Sequence, residues 1–432
     1  VDQAVIFISF ILMLFAPQVR TVGLALLIVL WIAFLALRYK DMLSVIKSSW
    51  PILIAPLITI ASIFWSAAPS DTIRGALELT LTVAFAMYLG GIQRPAIVLT
   101  PIASALGFFV LVSVAFGKSV GWGAHGAEAF AGLNGGKNFF AYSAALAILL
   151  SLVMFLEYIT RPRLSTMGAT VMAMWFAAAA LFSLPLYLAH SAGAMVNIAL
   201  TIIIMFTIVF TLKFSRSTFA FLILIGVLVA IPILAIVLMD PQAVMDTLLR
   251  SAGKGADLTG RAQLWWRAGR LMAERPLFGY GFDGFWKQGN PDAEAMWQIV
   301  GVTSRGGITF HNTIIDCRMA FGWVGTIMIV GLFLFVGFKL VVRALLTSEW
   351  LSIAYLAMYF SFLARAPLET VLPLSQFSYE AVLIIAMGAY AFTPIRKSKS
   401  AALARTSSER LSTRSFALLR NASLARERVR GT

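Results

Sequence analysis

Most of the residues able to do chemistry gather in one polar segment, 240–312, which is rich in Gly, Trp and Arg and bounded by long apolar runs. It ends in Ser304-Arg305-Gly306-Gly307-Ile308-Thr309-Phe310-His311-Asn312. The apolar run that follows begins a helix, which places His311 at or near a helix N-terminus. The helix dipole there disfavours imidazolium and keeps the ring neutral, as a general base must be. Asp316 falls in the first turns of the same helix, and Arg305 stands just before it. A lone histidine is more often structural than catalytic, and the residues by themselves leave both readings open.

Upstream, apolar residues at 264, 265, 268, 271 and 272 share one helical face. Thr259 can cap the start of that helix, and Pro276 stops it. Arg261 then sits in the first turn, where a cation opposes the macrodipole by a few tenths to about 1 kcal/mol. A bound phosphate would reverse the sign. A salt bridge to a loop acid such as Asp257 is the plainer alternative. Between Pro276 and Trp286, three glycines stand among aromatic residues. They predict a tight turn with backbone in close approach to something. The rings suit a sugar platform and an interfacial anchor equally.

The elements that must position these residues are membrane helices. The chain has 432 residues, 60% hydrophobic and only 12% charged, with a mean hydropathy of +0.88. That excludes an ordinary soluble, disordered, collagenous or disulfide-rich protein. Cys317 is alone and there are three histidines, so neither an internal disulfide nor a Cys- or His-rich metal site is expected. The expected fold is all-α: a polytopic membrane protein of about twelve transmembrane helices with one long outward loop. Spans are placed near 4–17, 22–37, 51–66, 73–92, 96–116, 139–158, 167–189, 192–212, 218–239, 313–342, 350–364 and 377–393. The first two are short and could form a re-entrant pair; two spans separated by a turn at Pro17-Gln18-Val19-Arg20 are preferred. No basic stretch precedes the first run, so no cleavable signal peptide is expected.

Charge sets the orientation. One set of loops carries ten basic residues: Arg38, Lys40, Lys47, Arg94, Arg161, Arg163, Lys213, Arg216, Lys339 and Arg343. The short loops of the other set carry five: Arg20, Arg74, Lys118, Lys137 and Arg365. The first set is read as cytoplasmic, and both termini lie on that side. The net charge of +15 is thus topological, and no nucleic-acid partner is expected. Four parts follow: an N-terminal bundle at 1–239, the outward catalytic loop at 240–312, further spans at 313–393 and a basic cytoplasmic tail at 394–432. The tail reads as disordered on the membrane surface or as an interfacial helix on anionic lipid. Arg365 and Glu369 are four apart and read as a helical ion pair. His190 reads as a hydrogen-bonded histidine in a tight outward turn.

Four segments together resemble the O-antigen ligase and polymerase superfamily of bacterial membrane glycosyltransferases. They are Phe64-Trp65-Ser66-Ala67-Ala68-Pro69 and the helix after it; Gly132-Leu133-Asn134-Gly135-Gly136-Lys137-Asn138; Gly260-Arg261 with Trp265 and Pro276-Leu277-Phe278-Gly279-Tyr280-Gly281; and His311-Asn312 followed after nine residues by Gly322-Trp323-Val324-Gly325. The resemblance spans roughly 51–390. It implies a multi-pass protein of the bacterial inner membrane with a periplasmic active site, and a reaction needing no metal or other cofactor. The implied donor is an undecaprenyl-pyrophosphate-linked glycan, and the acceptor is lipid A-core or a growing glycan. His311 would be the general base of an inverting transfer. Arg261 would hold the pyrophosphate, with Arg305 and Lys137 as further candidates and Asn312, Asp316 and His190 in support. Many relatives carry a cation just after a Ser at the start of the eighth span; here the stretch reads His190-Ser191-Ala192-Gly193-Ala194. The ligase activity is the first expectation and a polymerase of exopolysaccharide or O-antigen the second. A transporter or flippase would need coupling residues at the bilayer midplane, whereas the polar chemistry here sits in one loop.

Overall fold

The structure is a computed structural model describing residues 1–122, 127–161, 165–215, 217–218, 221–222, 261–303, 305–306, 308–371 and 375–395. It is helical apart from one hairpin. In chain order the helices are α1 (Asp2–Leu14), α2 (Ala16–Leu37), α3 (Tyr39–Ser49), α4 (Ile54–Ala61), α5 (Pro69–Gly91), α6 (Pro95–Phe116), α7 (Lys137–Ile159), α8 (Thr166–Leu188), α9 (Ala192–Phe214), α10 (Arg261–Glu274), α11 (Pro291–Ile299), α12 (Thr313–Thr347), α13 (Trp350–Arg365) and α14 (Tyr379–Phe392). Short 3-10 turns, Trp50–Leu53 and Ser62–Trp65, extend α4 at both ends. The hairpin pairs β1 (Ser119–Trp122) with β2 (Ala127–Phe130) in antiparallel register, Ser119 opposite Phe130. It is a departure from the all-α expectation.

Among the described residues, eight helical segments are long and apolar enough to cross a membrane, and α1, α13 and α14 are shorter apolar helices. Every expected span except one coincides with one of these. The exception, 218–239, lies almost wholly outside the described residues, as do the tail from 396 onward and the loop at 240–260. The segment expected at 51–66 begins instead at Tyr39. Helix α3 is amphipathic, burying Val45 and Ser49 while carrying Lys40, Asp41 and Lys47, so a reading for continuous apolar length misses it. The turn expected at Pro17 is present: Pro17 opens α2, and Arg20 takes a positive φ of 48°.

The helices pack around α5, α7, α13 and α14, whose residues are largely buried. Close approach is set by small residues. A side chain at Gly90 would collide with the backbone of α14 at Ala386 and Tyr390.

Helix α12 is the element that organises the 276–281 turn. It runs 35 residues but breaks at Gly322, which has φ 59° and ψ −160°. Such a break exposes backbone groups on both sides. The carbonyls of Met319 and Ala320 accept from the N–H groups of Tyr280 (2.7 Å) and Gly281 (2.9 Å). Beyond the break, the N–H groups of Trp323 and Val324 donate to the carbonyls of Pro276 (2.8 Å) and Leu277 (3.2 Å). The glycine-aromatic turn therefore threads the broken helix. That is the close backbone approach its glycines predicted. Gly279 has φ 67°, and a Cβ there would run into the Met319 carbonyl and the Gly322 nitrogen.

The same turn is tied to the Trp65-Ser66 region. Ala67 N–H donates to Tyr280 O (2.9 Å), Phe282 N–H to Ser62 Oγ (3.0 Å) and Thr72 Oγ1–H to Phe282 O (2.6 Å). Tyr280 and Phe285 are buried in a small second core with Leu264, Ala268, Leu271 and Met272 of α10 and Met296 and Trp297 of α11. These two rings are neither a sugar platform nor a membrane anchor; they hold the loop together. The amphipathic face expected for 264–272 is the face α10 buries, and α10 ends at Glu274, before Pro276.

Gly322→Ala places a Cβ against the Leu277 backbone at a φ that L-residues rarely adopt. The expected outcome is a loss of about 1–3 kcal/mol of stability, read as a lower thermal midpoint of the detergent-purified protein. An unchanged midpoint would mean that the break does not depend on this glycine.

Candidate active site

The N-terminus of α12 carries the site. Asn312 is its N-cap: Oδ1 accepts from the N–H groups of Ile314 (3.0 Å) and Ile315 (3.1 Å). This fixes the residue just before it, His311, which has a positive φ of 51°. The loop after α13 is stapled across the same helix end. Thr313 N–H donates to Ala366 O (2.9 Å), Thr313 Oγ1–H to Glu369 O (2.8 Å) and Asn312 Nδ2–H to Pro367 O (3.1 Å). Thr313 Oγ1 in turn accepts from Val371 N–H (3.1 Å). Asp316 reaches back from the first turns of α12, accepting from Phe310 N–H (3.1 Å) through one oxygen and from the Thr370 hydroxyl through the other.

The staple sets Glu369 against His311. Glu369 Oε2 lies 2.8 Å from His311 Nδ1, and Oε1 lies 3.0 Å from Nη2 of Arg261. Arg261 also donates from Nη1 to Leu368 O (2.8 Å). Asn138, second residue of α7, donates to Oε1 (3.4 Å) and accepts from the Ser191 hydroxyl (3.0 Å) at the start of α9. Burial pushes the Glu369 carboxyl up, but the His311 hydrogen bond and the Arg261 charge outweigh it and hold the group below its ordinary value. An ionised carboxylate only accepts, so Nδ1 carries the imidazole proton and Nε2 is left as the acceptor. The Glu369 side chain is 14% exposed, whereas Arg261 and His311 keep 24% and 34% of theirs. An imidazole and a guanidinium thus share one half-buried carboxylate, and both reach the surface.

Comparison with known proteins bears on what such a site does. The O-antigen ligase family model matches residues 176–330, a stretch that contains Arg261 and His311. The chain is also 28% identical, over 304 residues, to the exopolysaccharide production protein ExoQ of Rhizobium meliloti strain 1021. That similarity covers 69% of this chain and 67% of the relative. Both matches fall within the O-antigen ligase and polymerase superfamily that the sequence motifs resemble.

Against that superfamily's expected site, the structure brings together His311, Arg261, Asn312 and Asp316. Lys137 opens α7 and is the chain neighbour of Asn138; His190 is the chain neighbour of Ser191 and packs 6.0 Å from the Tyr187 ring. Both therefore border the hydrogen-bonded chain that ends on Glu369. Arg305 is directed elsewhere, with its Nε 3.2 Å from Glu294 of α11. Arg261 does not need Asp257 as a partner, since Glu369 takes that place; Asp257 and Thr259 lie outside the described residues. The helical ion pair expected between Arg365 and Glu369 does not form. Helix α13 ends at Arg365, whose guanidinium turns inward to Glu380 (2.9 and 3.2 Å) and stacks 3.6 Å over Tyr142. That releases Glu369 for the site. Glu369 and Asn138 are the members that the sequence reading left out of the site. Glu369 stands 58 positions from His311 and 108 from Arg261, so no local spacing joins them.

Because the folded value of Glu369 is depressed, its carboxylate stabilises the fold fully above pH 4.5, its ordinary value. That contribution is lost as pH falls through the lower folded value. Thermal midpoints measured from about pH 7 to about pH 3 should fall more steeply below pH 4.5 for the natural protein than for Glu369→Gln. At pH 7 the variant should be about 1–3 kcal/mol less stable. Parallel curves would mean that Glu369 is not held as a paired carboxylate.

Proposed function

We propose that this protein transfers a glycan from an undecaprenyl-pyrophosphate-linked donor to an acceptor hydroxyl. The observation that carries the reading is the Glu369 carboxylate bridging His311 and Arg261. Nε2 of His311 takes the proton of the acceptor hydroxyl. The hydroxyl oxygen bonds to the anomeric carbon, and the bond from that carbon to the diphosphate oxygen breaks with inversion. The proton stays on the imidazole, stabilised as imidazolium by Glu369. The departing diphosphate gathers negative charge, which the exposed edge of Arg261 neutralises. A polyprenyl diphosphate is already an activated leaving group, so the transfer requires no nucleotide.

The acceptor separates two activities. The family match supports an O-antigen ligase, which would hand a finished polysaccharide to lipid A-core. Similarity to an exopolysaccharide production protein over two thirds of the chain supports a polymerase, which would extend a growing glycan. That broader coverage makes the polymerase the first reading here and the ligase the second. In either case the basic loops orient the protein in the bacterial inner membrane with the site towards the periplasm and the termini in the cytoplasm.

His311→Ala should insert and fold as the natural protein does but lose about 10²–10⁴-fold in transfer rate with a purified lipid-linked donor. Wild-type turnover in that variant would remove the base assignment. In a strain lacking the gene, polymerase function predicts either survival of a core-plus-one-repeat lipopolysaccharide band or intact lipopolysaccharide with secreted polysaccharide lost. Loss of every O-antigen band instead identifies a ligase.

A further inference from the structure

Glu369 has one carboxylate charge and two claimants. Oε2 faces the imidazole at 2.8 Å and Oε1 faces the guanidinium at 3.0 Å. Arg261 spends two of its five N–H donors here, on Leu368 O and Glu369 Oε1. Among the described residues no hydrogen-bond partner takes its remaining donors, which can face an incoming anion. Any anion that engages the guanidinium competes with Glu369 for it. Charge withdrawn from that contact is felt at the other oxygen, because the two oxygens share one delocalised negative charge that both partners attract.

We propose that Glu369 is a positioning residue that couples donor binding to base strength: a diphosphate seated on Arg261 draws the guanidinium from Oε1, and the carboxylate then acts undivided on His311. This rests on the roles given above to Arg261 and His311. Before the donor arrives, the guanidinium holds part of the Glu369 field and the imidazole is the weaker base. After it arrives, the imidazole attracts a proton more strongly, at the moment an acceptor hydroxyl can be used. The other charged groups around His311 do not duplicate this arrangement. Asp316, one turn into α12, is engaged by Phe310 N–H and the Thr370 hydroxyl. Asn138 is neutral, and Lys137 beside it opens α7. Beneath them Arg365 and Glu380 form their own bidentate pair.

The test is the titration midpoint of the His311 ring, followed by NMR of the full chain in nanodiscs with labelled histidine. The chain has three histidines, and the signal missing from His311→Gln assigns the ring. Inorganic pyrophosphate is the anion probe. In the natural protein it should raise the midpoint by roughly 0.5–1 pH unit. In Glu369→Gln the shift should fall to less than half, and Glu369→Asp should restore most of it. Arg261→Gln offers an independent arm. Its midpoint should already sit at the raised value, and pyrophosphate should leave it unmoved. Equal shifts in the natural protein and Glu369→Gln would show direct charge attraction between the anion and the imidazolium only and overturn the coupling. So would an Arg261→Gln midpoint equal to that of the unliganded natural protein. Arg261-dependent binding without any shift would remove the coupling and leave the reading of Arg261 intact. Binding that is absent, or unchanged in Arg261→Gln, would remove both.

Discussion

A half-buried carboxylate at one end of a membrane helix bundle has to be compensated, and the structure supplies that compensation from three distant parts of the chain. Glu369 is matched by His311 from the end of the loop, Arg261 from the start of α10 and Asn138 from the start of α7. An uncompensated buried charge costs several kcal/mol, so these elements must meet for the carboxylate to remain ionised. Partners that share its charge without cancelling it fully are what a transfer site needs. One side can hold a proton, and the other can hold an anion.

The backbone around Glu369 serves that meeting. Thr313, through side chain and main chain, and Asn312, through its side chain, pin 366–371 onto the first turn of α12. One turn further, Asp316 fixes the approach of Phe310 and hence the peptide carrying His311. Trp265 Nε1–H donates to Phe310 O (2.6 Å), which brings α10 to the same peptide. The break at Gly322 holds residues 276–281. The helix that presents His311 is therefore also the helix that anchors the 276–281 turn.

Much of this was legible in the sequence. Apolar runs located the helices because a spanning helix must satisfy its backbone internally and face lipid with apolar side chains. The face of α10, its stop before Pro276 and the demand of Gly279 for close backbone contact all follow from local rules of period and φ. His311 and Arg261 were legible as candidates because each stands where a helix begins. What local rules could not supply was the pairing of distant residues. The spacing of four between Arg365 and Glu369 suggested a helical pair, but the helix ends at Arg365, and tertiary contact with Glu380 decides the partner. Aromatic residues between Pro276 and Trp286 looked like surface features because composition does not reveal that Tyr280 and Phe285 close a core with Met296 and Trp297. Arg305 was a pyrophosphate candidate through the family resemblance, yet its guanidinium faces Glu294.

The central claim is that the shared carboxylate marks the reacting centre. The most direct measurement is a cryo-electron microscopy structure with a non-transferable polyprenyl-diphosphate glycan analogue bound. The diphosphate should lie within about 2.7–3.2 Å of the Arg261 guanidinium, with the anomeric carbon on the Nε2 side of His311. An analogue bound with its diphosphate remote from Arg261, or with its sugar on the Glu369 side of the ring, would contradict the account.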